Sequence, residues 1–388
     1  MPFDRRSVAV YSAFFLSSLG YSLWYSLFPV YLDIIGFQAW QIGFVFSLLS
    51  LSTSLSYLIL GAVSDAAGRG KPLALGFILS ALTIIALAYT SNIMLIGLLI
   101  SAYGLLEGLK SPTGEASIVE TGARLGTALS LFYMVVMVAR IAGSALSGYF
   151  ASTLGFQSLF ILGSLLSISS ASLIISLYGW SGRLGLKTVR LSISKFPEGI
   201  RSILSDRGLR LLTIALVVHG LGFSMINPLV TLYAKEALSL DEQLVGLVMA
   251  VWNMGFLLTQ VPSGKFTDRF GGIPILASHI ALSSVSWLLY GFSGNWLHLV
   301  LSALFVGMVG AMDMPARRTL MVRLKGSMGV ASIIGYMDAL TRFTFMLGSS
   351  VGGVLWSSLG YRAPFIIGSI LNIFALIPLL ILIYPHRR

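Results

Sequence analysis

Long apolar runs, one after another from end to end, leave this chain few folds to choose from. Runs closed by charges or by Gly, Pro and Asn cover residues 7–32, 41–63, 72–90, 93–117, 125–151 and 157–180. A second set covers 209–233, 243–264, 272–293, 296–320, 328–357 and 362–384. A helix needs about 20 apolar residues to cross a bilayer, so the sequence predicts an all-α polytopic membrane protein with 12 transmembrane helices. Only 10% of its residues are charged, against about 25% in soluble domains. No stretch remains for a large soluble domain. The first run, from Ser7 to Tyr31, exceeds the roughly 7 to 15 residue core of a cleaved signal and lacks a small-residue cleavage pattern. It reads as the first membrane helix.

The absence of cysteine removes disulfides, thiolate catalysis and Cys-based metal sites, and four scattered histidines argue against a metal cluster. No metal or cofactor is expected. A net charge of +11 could point to nucleic acid, but the charges sit in loops and form no basic face. With the N-terminus placed in the cytoplasm, all Lys and Arg fall inside except Lys235 and Arg362 outside and Arg140 and Arg342 within spans. This bias predicts a multi-pass protein of the cell (plasma) membrane with both termini cytoplasmic. Between the two sets of spans stand Arg183, Lys187, Arg190, Lys195, Arg201, Arg207 and Arg210. We take 181–208 as a cytoplasmic basic linker lying against anionic lipid, between an N-terminal six-helix bundle (1–180) and a C-terminal one (209–388).

Sliding the chain against itself by about 203 residues aligns Gly43 with Gly246, Gly61 with Gly264, Asp65 with Asp268, Pro112 with Pro315, Gly126 with Gly329 and Tyr133 with Tyr336. A shift one residue shorter aligns Gly20 and Tyr31 with Gly222 and Tyr233, and one slightly longer aligns Gly155, Phe160 and Gly163 with Gly360, Phe365 and Gly368. Ordered matches of this kind imply two homologous, pseudo-symmetric six-helix bundles. Because six is even, both enter the membrane from the same side, as parallel repeats related by an axis along the membrane normal.

Gly61-Ala-Val-Ser-Asp65-Ala-Ala-Gly68-Arg69-Gly-Lys71 resembles the loop 2-3 signature of the major facilitator superfamily, and Gly264-Lys-Phe-Thr-Asp268-Arg269-Phe-Gly271-Gly272 looks like its degenerate second copy in loop 8-9. The first copy departs at Ala66, where the family usually has Arg. The resemblance implies that Asp65 caps a helix start in the opposite half, here the eleventh helix near Met328. A helix N-terminus favours a carboxylate by about 0.3 to 1 kcal/mol. It also implies that Arg69 pairs with Glu115 or Glu120 at the inner end of helix 4. Helix 5 carries Gly143-Ser-Ala-Leu-Ser-Gly148 and helix 11 carries Gly348-Ser-Ser-Val-Gly352-Gly353, small-residue surfaces suited to close packing. They resemble the G-P-x-x-G-G element of drug/proton antiporters, with Ser144 in place of the proline. In helix 4, Gly104 stands where a related motif has Arg, and Glu107-Gly108 replaces Gln-Gly.

Charge at the bilayer centre costs about 2.5 to 3.5 kcal/mol on insertion scales, so each ionisable residue there needs a partner, a wet cavity or a task. Arg140 has no carboxylate within four residues on its own helix, which makes it the leading cavity residue. Asp338 and Arg342, four apart, can pair with each other. A proton carrier must gain and lose its proton near neutral pH, as a partly dehydrated carboxylate can, so Glu107, Asp313 and Asp338 are the coupling candidates. The alternative for Glu107 and Asp313 is ion pairing with Lys110 and Arg317. In the resembled family helices 1, 4, 7 and 10 line a central cavity. The first carries Tyr21, Trp24 and Tyr25, the seventh Asn227 before Pro228, and helix 8 adds Trp252 and Asn253, an aromatic and polar lining suited to a small amphipathic ligand. His219 reads as a hydrogen-bonded core residue.

No nucleotide-binding loop and no H-E-x-x-H is present, and the single G-x-S-x-G, Gly348-Ser-Ser-Val-Gly352, lies inside a predicted membrane helix and not at a strand-to-helix turn, so neither ATP-driven transport nor an intramembrane enzyme is expected. The sequence reads as a monomeric secondary transporter of a small organic solute, working by alternating access and proton coupling with a lean to efflux. Uniport or proton-coupled uptake of a small anionic metabolite is the alternative. A non-transporting sensor or lipid-handling protein on the same scaffold is the alternative of another class.

Overall fold

A computed structural model of the chain describes residues 5–59, 69–119, 125–180, 197–326 and 330–383. Twelve helical spans follow one another within them. The first six are α1 (Arg5–Tyr25, continuing as Phe28–Ile34), α2 (Ala39–Ile59), α3 (Gly70–Leu87), α4 (Ile93–Val119), α5 (Leu125–Leu154) and α6 (Phe156–Tyr178). The second six are α7 (Arg207–Ile226, extended to Glu236), α8 (Glu242–Phe270), α9 (Gly272–Gly291), α10 (Trp296–Gly310, then Asp313–Leu324), α11 (Val330–Leu359) and α12 (Ala363–Ile383). Ten carry an apolar window long enough to cross a membrane. The other two are α1, broken at Ser26 and Leu27, and α11, which holds Asp338 and Arg342.

Proline explains two of the breaks. Pro29 lies in the first turn of the second part of α1, where it has no N–H to give the carbonyl of Tyr25. Pro228 does the same to α7, which tightens into a 3-10 turn over Asn227–Leu229 before resuming at Val230.

The chain folds as two compact units: Met1–Ile35, Leu51–Ser194 and Asp241–Ala250 form one, and Gly36–Ser50, Lys195–Leu240 and Val251–Arg388 the other. In the first unit α1 packs on α4, α5 and α6, α3 on α4 and α6, and α4 on α5. In the second unit the same six pairings recur with every helix advanced by six. The glycines matched by the repeat mark equivalent close approaches. A Cβ on Gly20 would lie 3.0 Å from the carbonyl oxygen of Gly163, and one on Gly222 would lie 2.5 Å from that of Gly368. In the first unit the start of α8 lies on α5, with Gly246 against the Ser144 carbonyl. In the second unit the start of α2 lies on α11, with Gly43 against the Ser349 carbonyl. The small-residue surfaces of α5 and α11 therefore receive backbone.

Side-chain hydroxyls reinforce this packing. On α6, Ser164 donates to the Ala81 carbonyl (2.9 Å), Ser167 to Phe77 (2.8 Å) and Ser170 to Ala13 (2.8 Å), tying one helix to both α3 and α1. Ser144, which replaces the motif proline, lies 2.9 Å from the Ser26 hydroxyl of α1. The end of the expected linker is itself structured. Residues 197–205 are helical, Ile203 is fully buried in the core of the second unit, and Asp206 caps α7 by accepting from the Leu209 N–H at 2.8 Å.

Candidate functional site

In the first unit, α1, α4 and α5 bring together an aromatic and charged cluster. Tyr21 stacks on Tyr25 (4.5 Å between centroids) and, more distantly, on Tyr103 (6.3 Å). Trp24 is 1% exposed and stands edge-on to Tyr103 at 5.3 Å. Its indole N–H has no hydrogen-bond partner among the described residues. The Arg140 guanidinium lies 5.5 Å from the Tyr21 ring centroid, a cation–π contact, and its Nε likewise lacks a partner among the described residues.

Glu107 joins the aromatic and charged parts of the cluster. It pairs with Lys110 at 2.5 Å, accepts a hydrogen bond from Tyr103 and lies within the field of Arg140. Lys110 is almost completely buried, its ammonium 4.7 Å from the Tyr103 ring centroid. Its stem crosses α3 where Gly76 leaves room, since a Cβ there would lie 2.7 Å from Lys110 Cγ. The expected cavity residues Tyr21, Trp24, Tyr25 and Arg140 thus meet the coupling candidate Glu107. Sequence reading missed Tyr103, although Tyr103, Glu107 and Lys110 lie on one helical face at i, i+4 and i+7. With two cations and one carboxylate, the cluster carries one net positive charge. A groove of about 400 Å³ on α3 and α4, lined by Leu79, Leu82, Thr83, Leu99, Ala102, Leu105 and Leu106, is apolar and separate in composition. Acyl chains suit it better than a polar solute.

The second unit places its ionisable residues differently. Asp313 pairs with Arg317 one turn along α10, as the spacing allowed. Both oxygens of Asp338 accept from Arg318 of α10, at 3.1 and 2.7 Å, a partner that no local spacing could name. Arg342 lies one turn beyond Asp338 on α11 and Asn253 one residue beyond Trp252 on α8. Trp252 packs edge-on against Trp287 at 5.3 Å, and Asn227 opens the 3-10 turn of α7. His219 is hydrogen-bonded in the core, with Asn372 and His279 as partners.

Of the signature residues, Gly61, Asp65 and Gly68 lie outside the described residues, as do Glu120 and Met328. Arg69 precedes the first turn of α3, and Lys71 stands 5.9 Å from the Trp180 ring centroid. The second copy corrects an expectation. Gly264, Asp268 and Arg269 belong to the last turns of α8, with Asp268 and Arg269 exposed, and do not form a loop. The reversal into α9 is made by Gly271 alone, at φ 89°, a conformation that side chains with a Cβ rarely adopt.

The sequence profile described as Major Facilitator Superfamily matches residues 10–211 and again 212–388, essentially the whole chain. The chain belongs to the major facilitator superfamily. This transporter is 23% identical over 367 residues to a protein described as a multi-drug resistance efflux pump PmrA homolog of Lactococcus lactis subsp. lactis, covering 91% of this chain and 88% of that one. It is 29% identical over 168 residues to the quinolone resistance protein NorA of Staphylococcus aureus, a match spanning 43% of each chain. Among solved structures it superposes on the nucleoside transporter NupG with a TM-score of 0.78 at 15% identity, covering 98% of this chain and 99% of that one. The human organic anion transporter MFSD10 gives 0.69 at 18% identity, covering 97% and 99%. At these identities the structures establish the shared fold. The profile and the helices together make the chain a multi-pass membrane protein of this superfamily of transporters.

Proposed function

We infer that this transporter exports small amphipathic organic compounds in exchange for protons, by alternating access, as a monomer in the cell membrane with both termini cytoplasmic. One observation carries the reading: the carboxylate of Glu107 is wired to Tyr103, Lys110 and the field of Arg140 beside the Tyr21–Tyr25 stack. A proton on Glu107 removes the single negative charge of the cluster and frees Lys110 and Arg140 from it. Proton and substrate would then act on the same few side chains, so that binding one changes the fit of the other, which is what exchange requires. The two relatives described as a resistance protein and a multidrug efflux pump support the direction. Asp313 and Asp338, each held by an arginine, are the further coupling candidates.

The gating role falls, by resemblance, to Gly61, Asp65, Gly68, Arg69 and Lys71 and to their counterparts Gly264, Asp268 and Arg269. Asn227, Trp252, Asn253 and Arg342 are assigned to the cavity lining of the second half. The excess of Lys110 and Arg140 over Glu107 favours, as second reading, uptake of a small organic anion. Purified protein in liposomes with an imposed pH gradient separates the two. Ethidium and a fluoroquinolone should move against the proton flux, and transport indifferent to the gradient would overturn the coupled reading.

A further inference from the structure

Two buried histidines in the second unit are linked ring to ring. His219 of α7 is 5% exposed and His279 of α9 4%, with ring centroids 4.9 Å apart and planes at 74°. His279 Nδ1 lies 2.8 Å from the Val309 carbonyl oxygen, His279 Nε2 lies 3.2 Å from His219 Nε2, and His219 Nδ1 lies 3.0 Å from Asn372 Oδ1 of α12. A carbonyl can only accept, so His279 Nδ1 must carry a hydrogen. With Asn372 Oδ1 turned to it, His219 Nδ1 must carry one as well. If both rings were neutral, two bare Nε2 lone pairs would then face each other. The chain of bonds closes only with one more proton, held between the two Nε2 atoms.

A half-turn of the Asn372 amide gives the only other closed arrangement. Its Nδ2, which has no partner among the described residues in the present orientation, then donates to His219 Nδ1, and His219 Nε2–H donates to His279 Nε2. Both rings are neutral and every ring nitrogen is satisfied. Gly222 of α7 leaves space beside the amide, where a Cβ would lie 2.8 Å from Asn372 Oδ1.

We propose that His219, His279 and Asn372 form a proton-holding site, which binds one proton between the two Nε2 atoms and releases it when the Asn372 amide turns over. The two states differ by one proton and one unit of charge. Asp313 and Arg317 of α10 lie close enough to act on both rings, and the Asp313 carboxylate offsets the charge of the loaded pair. From α11, Asp338 acts on Arg317 while Arg318 holds Asp338, and Arg342 lies one turn further on. α9 and α12 bring no Asp, Glu, Lys or Arg. The charges of α7 itself, Arg207, Arg210, Lys235 and Glu236, sit at its ends.

The chain has four histidines, so ¹⁵N-histidine labelling of the full-length protein in detergent reads the site directly, independent of transport and of the role given to Glu107. His298 serves as internal reference. At alkaline pH the rings should be opposite tautomers, His279 with Nδ1–H and His219 with Nε2–H. On acidification from about pH 9 to about pH 4, across the range where histidine charge normally changes, both should shift together in one step that takes up one proton per pair. In Asn372→Asp, whose side chain only accepts when ionised, His219 should keep its Nδ1 hydrogen at every pH. The pair should then hold its proton at least tenfold more tightly. Matching tautomers at alkaline pH, separate one-proton steps for the two rings, or rings unmoved by pH would each overturn the proposal.

Discussion

Glu107 and Lys110 allow stability and proton coupling to be tested on one pair. Lys110 has 5% of its side chain exposed and Glu107 29%, so their single substitutions should not be equivalent. Glu107→Gln strands an ammonium in the buried position. Breaking a buried pair from one side costs about 3 to 5 kcal/mol, and the contact with Tyr103 offsets about 0.5 to 2, leaving a loss of about 1 to 4.5 kcal/mol, centred at about 3. Lys110→Met keeps the stem that passes Gly76 and strands a carboxylate that is partly solvated and still bonded to Tyr103. That costs about 1 to 2 kcal/mol. The double substitution strands neither member of the pair, removing only the weaker attraction of Glu107 for Arg140, and should therefore lose less than either single change. Thermal unfolding of the purified proteins, followed by tryptophan fluorescence, should therefore rank Glu107→Gln lowest, Lys110→Met next and the double variant above both. Additive losses in the double variant would refute the pairing argument. Transport in liposomes completes the test: the double variant should be stable yet blind to a pH gradient. Undiminished proton-driven transport by it would remove Glu107 from the mechanism.

Three further outcomes follow from single positions. Gly43→Val should lower the amount of folded protein, at a cost of about 1 to 3 kcal/mol, because the start of α2 meets the Ser349 carbonyl there; normal yield and melting temperature would contradict this. Trp24→Phe should cost about 1 to 2 kcal/mol for the cavity it leaves at a buried site, with no hydrogen bond to the described residues lost. If that N–H serves the substrate, ethidium affinity measured by fluorescence should fall further than the few-degree drop in melting temperature that the cavity causes would explain, and unchanged affinity would remove Trp24 from the binding site. Asp65→Ala should slow transport without lowering the amount of protein in the membrane, whereas Asp268→Asn, on an exposed helix end, should slow it less; equal effects in vesicles would argue against a special role for the first copy.

Span positions were legible because lipid imposes a local rule, about 20 apolar residues between polar breaks. The described helices begin and end within a few residues of the expected runs, except α8, which continues through its motif to Phe270. The repeat was legible because close backbone approach tolerates only glycine, so Gly20 and Gly163 reappear as Gly222 and Gly368. The pairs within one helix, Glu107 with Lys110 and Asp313 with Arg317, followed from helical spacing. Tertiary structure alone decided the rest. Arg318 reaching Asp338, Arg140 lying over Tyr21, and His219 meeting His279 across 60 residues of chain depend on how each helix is rotated about its axis. That rotation is set by packing between helices, and each helix, apolar on nearly every side, carries little sign of which face will find a partner.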